Sequence, residues 1–288
     1  MSRLCIIGVG LIGSSVARSA RLQGLVQGIT GYDRDAANLD LAVKLGVIDQ
    51  ASESLADAVA GADRVFLAVP VGSIEAVLSE LEPHWNAATT YTDVSSTKQD
   101  VLAALSRVFG HIPANFVPGH PIAGAERSGV EAGKADLFAG KRVILTPVSE
   151  TSDSAVDKVA TFWQTLGAHV SFMDPLRHDQ ILAATSHLPH VLAFALTDML
   201  GRMDEQEAIF QYAAGGFRDF SRIASSDPGL WRDICLANQA QIVPLIDAYC
   251  AALTAIRDLI VHESATELHD TFNRARSARE RFLNLSQP

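Results

Sequence analysis

Two sets of residues in the first half of the chain have types and spacing that suit chemistry. His120 stands in Pro118-Gly119-His120-Pro121-Ile122-Ala123-Gly124, where a strand-like run ends among residues that permit unusual backbone. A histidine in that setting is expected at an open cleft rather than inside a core, and its neutral form can draw the proton from an alcohol. Ser95 and Ser96 follow another strand end in Asp93-Val94-Ser95-Ser96-Thr97-Lys98. Either hydroxyl could hydrogen-bond His120 and a substrate; equally, Ser96 or Thr97 could do no more than cap the following helix.

The second set is Gly8-Val9-Gly10-Leu11-Ile12-Gly13, a G-x-G-x-x-G string lying directly after a strand run and opening a helical one. Gly8 permits a tight turn, Gly10 lets the backbone approach a pyrophosphate, and Gly13 lets helix and strand pack closely. The N–H groups at Leu11, Ile12 and Gly13 then face the phosphates at a helix N-terminus. Asp33 comes 20 residues after Gly13, the spacing of an acid that hydrogen-bonds adenosine ribose hydroxyls. Its charge opposes a 2′-phosphate, which favours NAD over NADP. Arg34 beside it could pair with that phosphate or stack on adenine. Val69 and Pro70, at the end of the strand run 64–69, are expected to line the cofactor cleft, although ordinary strand-end packing explains them nearly as well.

The second half holds its own polar groups. His187 and His190 are three apart in Ser186-His187-Leu188-Pro189-His190, so a helix places them on one face. A metal pair is disfavoured, because no H-E-x-x-H and no nearby cysteine completes a ligand set. Arg218 and Arg222 flank Asp219 in Gly215-Gly216-Phe217-Arg218-Asp219-Phe220-Ser221-Arg222, and a guanidinium fork suits a carboxylate. A solvated charged turn is the plainer alternative.

The elements that must position these groups fall into two regimes. Strand-like runs at residues 3–8, 28–32, 64–69, 90–93, 116–118, 142–146 and 169–172 alternate with amphipathic stretches at 13–23, 36–45, 74–81, 98–108 and 155–166. That alternation predicts an α/β domain with a Rossmann-type, doubly wound, mostly parallel sheet over residues 1–173. From residue 174 to 288 strand signals vanish, and apolar-periodic runs at 180–200, 230–258 and 267–283 predict an all-helical domain. Pro189 and Pro244 should kink or divide the runs that contain them. By analogy of fold, such a helical domain supplies one wall of the active site and a dimer interface.

Bulk composition narrows the function classes. With 48% apolar and 19% charged residues, the 288-residue chain can bury a sizeable core. A net charge of −10 argues against nucleic acid as a partner. Cys5, Cys235 and Cys250 show no metal-ligand spacing and read as reduced thiols. No basic, cleavable leader and no apolar run long enough for a bilayer are evident, so a cytoplasmic protein is expected.

Five strings in order, GVGLIGSS, DVSSTK, GHPIAGAERSG, SHLPH and GGFRDFSRIASSDPGLWRDI, make the chain resemble the prephenate/arogenate (cyclohexadienyl) dehydrogenases of tyrosine biosynthesis from Gly8 to about Asn238. The resemblance implies the monofunctional form, a homodimer, and NAD(P)-dependent oxidative decarboxylation of a 4-hydroxycyclohexadiene carboxylate, with no metal. Carried onto these positions, it implies that His120 accepts the 4-hydroxyl proton and Ser96 orients both partners. Arg222 binds a substrate carboxylate, with His190 near the substrate side chain. Glu126 and Asp219 hold the cationic residues, and Trp231 lines the pocket. Two readings compete. Hydroxyacid or 6-phosphogluconate-type dehydrogenases share the architecture but rely on a lysine in the helical half, and no lysine follows Lys158. A non-catalytic dinucleotide sensor would not be expected to keep Ser96, His120, His190 and Arg222 together.

Overall fold

The computed structural model describes residues 2–124 and 128–285. Its first strands and helices alternate: β1 (Ser2–Ile7), α1 (Leu11–Leu22), β2 (Val26–Tyr32), α2 (Ala36–Lys44), β3 (Gln50–Ala51), α3 (Leu55–Val59), β4 (Arg64–Leu67), α4 (Ile74–Leu81), β5 (Thr90–Asp93), α5 (Gln99–Phe109) and β6 (Phe116–Val117). These strands form a parallel six-stranded sheet in the order β3-β2-β1-β4-β5-β6. The chain then adds β7 (Gly119–Pro121), β8 (Arg142–Leu145), α6 (Asp153–Thr165) and β9 (His169–Phe172). Here β7 runs antiparallel to β8, and β8 parallel to β9, in a three-stranded sheet of their own.

Alternation along each strand explains the layers. Leu4 and Ile6 of β1 and Phe66 of β4 face one core with Val16, Phe162 and Trp163. Their neighbours Cys5, Ile7, Val65 and Leu67 face a second core with Ile74, Leu78 and Val101. A period of two puts successive side chains on opposite faces, so runs apolar at every position belong to a sheet covered on both sides. Helix starts follow local capping chemistry: the side chains of Asp35, Ser54, Ser152, Asp174 and Asp227 accept backbone N–H groups at the heads of their helices.

Beyond β9 the chain is helical, as the periodicity predicts: α7 (Pro175–Leu182), α8 (Leu188–Gly201), α9 (Gln206–Gln211), α10 (Gly215–Ser221), α11 (Pro228–Ala237), α12 (Gln239–Val261) and α13 (Ala265–Leu285). Pro189 divides its run. A π-helical turn at Ala183–His187 separates α7 from α8, and Pro189 occupies the first turn of α8, where its missing N–H costs nothing. Pro244 lies inside α12 without ending it; the break in that run comes earlier, between α11 and α12.

By compactness the chain forms two units, Met1–Gln239 and Ala240–Pro288. Helices α7 to α11 therefore belong with the sheet, although the switch in periodicity comes near residue 173. Asp179 of α7 accepts from the backbone at the head of α5, and the turn at Val71–Ser73 packs on α11. Side-chain and backbone bonds of this kind leave no mark in hydrophobic period. The second unit carries the two long helices. Among the described residues no helix is long and apolar enough to cross a membrane.

Candidate active site

The glycine turn joins β1 to α1 as its sequence predicts. Gly8 has φ of +93°, and a Cβ there would meet the Ala68 carbonyl oxygen at 2.5 Å. At Gly13 a Cβ would stand 2.0 Å from the Gly8 oxygen, so helix and turn touch backbone to backbone. A Cβ at Gly10 would meet nothing within 4 Å. Gly10 is the N-cap of α1, and no side chain caps it. Open space before uncapped N–H groups at a helix N-terminus fits a pyrophosphate. Asp33 follows β2 and holds the turn in shape: its carboxylate accepts from Val9 N at 2.9 Å, Asn38 Nδ2 at 3.2 Å and Asp35 N at 3.1 Å. Arg34 is exposed and donates to Ser73 Oγ at 3.2 Å, across the mouth formed by the chain after β4. Val69 is half-buried and Pro70 exposed at that strand end.

His120 departs from the sequence expectation of an open position. It lies within β7, paired opposite Ile144, and is only 9% exposed. The burial follows from the short antiparallel strand, whose Gly119 N donates to Asp93 Oδ1 at 3.0 Å and pins β7 against the end of β5. His120 Nδ1 lies 2.9 Å from His178 Nε2. His178 Nδ1 in turn lies 2.8 Å from Asp179 Oδ1, and both residues are buried. The Asp179 carboxylate also accepts from Lys98 N and Gln99 N, each at 2.8 Å. Burial, reinforced by the charges that His178, Lys98 and His187 can carry, holds the His120 pKa well below the usual histidine value, so the ring is a neutral acceptor at neutral pH.

Beneath this line lies a buried ion pair. Lys98 Nζ meets Asp93 Oδ2 and donates to the Gly119 carbonyl at 2.7 Å. Asp93 Oδ2 further accepts from Ser95 N at 2.9 Å. One carboxylate thus ties the Ser95–Ser96 turn to the strand bearing His120. Ser95 is buried with its hydroxyl unpartnered, whereas Ser96 is half-exposed. The nitrogen of His120 with a bonding partner meets His178, not Ser96.

The helical half contributes a second group. His190 stacks on Trp231, with centroids 3.6 Å apart and planes 18° from parallel. Its Nδ1 donates to the Ser186 carbonyl at 2.9 Å. Burial lowers its pKa, and the nearby Arg222 charge adds to that. His187 is buried instead of sharing a free face with His190: its Nδ1 accepts from Asn238 Nδ2 at 3.1 Å, and burial lowers its pKa to about 4. The π-helical turn between α7 and α8 breaks the regular spacing that would align them. Arg222 follows α10, exposed, and Asp219 is exposed on α10 itself. Glu126 and Arg127 lie outside the described residues.

Sequence reasoning missed His178, Asp179, Asn238 and the role of Lys98. Lys98 stands in a motif already singled out, but nothing in its spacing signals burial against Asp93. The adjacent pair His178-Asp179 lies within α7, far along the chain from His120, and only packing joins them.

Comparison with known proteins identifies the family. A model described as the nucleotide-binding domain of prephenate dehydrogenase matches residues 16–172, and one described as its dimerization domain matches residues 174–274. Cyclohexadienyl dehydrogenase of Zymomonas mobilis is 36% identical over 279 residues, covering 96% of this chain and 94% of that protein. The crystal structure of prephenate dehydrogenase from A. aeolicus, in complex with hydroxyphenyl propionate and NAD+, superposes with a TM-score of 0.91 at 37% identity over 98% of both chains. Synechocystis arogenate dehydrogenase superposes at 0.80 with 27% identity over 97% of this chain and 99% of that one. A nucleotide-binding turn of this build, with family models that match residues 16–172 and 174–274, makes the chain a member of the prephenate dehydrogenase family and an NAD(P)-dependent dehydrogenase.

Proposed function

We propose that this enzyme oxidatively decarboxylates prephenate, arogenate or both, a step of tyrosine biosynthesis. Hydride leaves C4 of the cyclohexadiene, the ring carboxylate departs as CO2, and the ring becomes aromatic. The bound nicotinamide supplies the hydride acceptor. His120 takes the 4-hydroxyl proton as the hydride leaves, Ser96 orients substrate and base, and Arg222 binds a substrate carboxylate. His190 and Trp231 form the wall near the substrate side chain, and Asp219 and Glu126 hold the cationic residues. Aromatisation drives the reaction, so the protein needs to supply position and one proton acceptor.

One observation carries this reading: the glycine turn follows β1, and His120 is pinned to the end of β5 by Asp93. In a parallel sheet both ends lie on the carboxyl edge, where ligands of open α/β folds bind. NAD is the favoured cofactor in this reading, because the charge of Asp33, after β2, would oppose a 2′-phosphate. Relatives named for prephenate, cyclohexadienyl and arogenate substrates support the substrate class. The reading extends to a division of labour at residue 173, nucleotide before and substrate wall after, and to a cytoplasmic homodimer.

The test is absorbance of reduced nicotinamide with NAD or NADP offered against prephenate and arogenate in turn. Turnover should appear with at least one substrate and run faster with NAD. Silence in all four mixtures, with cofactor binding shown separately, overturns the substrate assignment.

A further inference from the structure

We infer that His178, anchored by Asp179, is a positioning residue that fixes the tautomer of His120 and so decides which ring nitrogen receives the substrate proton. This rests on the reading of His120 as the base. The line of contacts runs Asp179 Oδ1, His178 Nδ1, His178 Nε2, His120 Nδ1, with separations of 2.8 Å at the first link and 2.9 Å at the last.

Each link has a direction. The Asp179 carboxylate accepts from two backbone N–H groups, Lys98 N and Gln99 N, so its position is set by the first turn of α5. Facing a carboxylate, His178 Nδ1 carries the hydrogen. A neutral His178 then offers only a lone pair at Nε2, and His120 must donate from Nδ1. His120 Nε2 is left as the free acceptor. The opposite tautomer would set two lone pairs 2.9 Å apart in a buried place, without a compensating bond. A doubly protonated His178 would reverse the direction, and the NMR pattern below distinguishes the two. Asn238 completes the clamp, donating to the Asp179 carbonyl at 2.9 Å.

The direct test is two-bond hydrogen–nitrogen NMR on enzyme labelled with 15N histidine, with His120→Asn used to assign the ring. At neutral pH the wild type should show His120 protonated at Nδ1 and unprotonated at Nε2. The reverse pattern, or an exchanging mixture, overturns the inference, and this reading needs no substrate. Steady-state kinetics on His178→Leu and His178→Gln follow, using whichever substrate the wild type turns over. Leucine cannot accept from Nδ1, and kcat should fall by about 100-fold. The KM values for substrate and cofactor should stay within about threefold. Glutamine presents a carbonyl near the place of His178 Nε2 and should recover at least about tenfold of the loss. A leucine variant within about threefold of wild-type kcat, or equal losses in both variants, sinks the role. Wild-type enzyme with the expected NMR pattern but no turnover would instead count against the substrate reading alone.

Discussion

Lys98 and Asp93 lie wholly out of solvent and are ion-paired beneath the turn that carries Ser95 and Ser96. Burial pushes the Lys98 pKa down while Asp93 opposes the fall. Two charges removed from water stay bound only when each finds enough partners. Here the carboxylate gathers Lys98 Nζ, Ser95 N and Gly119 N, and the ammonium reaches the Gly119 carbonyl. Lys98→Met should leave the carboxylate uncompensated and cost about 3–5 kcal/mol of stability. Urea unfolding measures it, and a loss below about 1 kcal/mol would show that the pair is dispensable.

The glycine turn separates packing from ligand access. Gly13→Ala drives a methyl into the Gly8 carbonyl oxygen, so the turn must deform and both thermal stability and nucleotide binding should fall. Gly10→Ala meets no protein atom. Its fold should survive, with Tm within a few degrees of wild type, while NAD affinity drops by about tenfold or more as the methyl enters the pyrophosphate space. Calorimetric titration beside a melting curve distinguishes the two. Unchanged NAD affinity in Gly10→Ala would move the pyrophosphate elsewhere.

Proton acceptance by His120 sets the acid limb of the pH profile. Its pKa is held well below the ordinary value of 6.5, chiefly by burial. As pH falls, kcat/KM should therefore hold steady through 6.5 and decline only at lower pH, where the ring gains a proton. The groups facing it are His178, Lys98 and His187. In His120→Asn, kcat should drop by roughly 10²–10⁴-fold with little change in KM. A limb centred at 6.5 that persists in this variant would belong to another residue.

Arg222 should act through binding. Arg222→Ala is expected to raise the substrate KM by a factor equivalent to about 2–5 kcal/mol while kcat changes much less. An unaltered KM would pass carboxylate recognition to Arg218 or Arg127.

His187 links stability to acid. Folded, its pKa is about 4, against an ordinary 6.5, mainly because the ring is buried. Below pH 6.5 the unfolded chain binds a proton that the folded chain refuses. Stability is thus full above that pH and lost as pH falls toward 4, by roughly 3 kcal/mol from this group. Melting temperatures across that window should fall more steeply in wild type than in His187→Asn, which keeps an acceptor for Asn238. Parallel slopes would remove His187 from the acid response.

Much of this protein was legible in its residues. The apolar runs that became β1, β4 and β8 are local statements, since a strand buried on both faces must be apolar at successive positions. The glycine turn is equally local, because Gly8 and Gly13 are required by contacts within a few residues or with the adjacent strand. His120 could be singled out by type and setting. Its burial, its partner and the compact unit it belongs to could not. Strand β7 is three residues long and exists because Arg142–Leu145 returns beside it. His178 and Asp179 lie 58 and 59 residues beyond His120, in a helix whose period announces only that one face is apolar. Hydrophobic pattern records which side of an element meets the core. Which polar groups meet across that core is a long-range matter of direction and distance, and tertiary structure alone decides it.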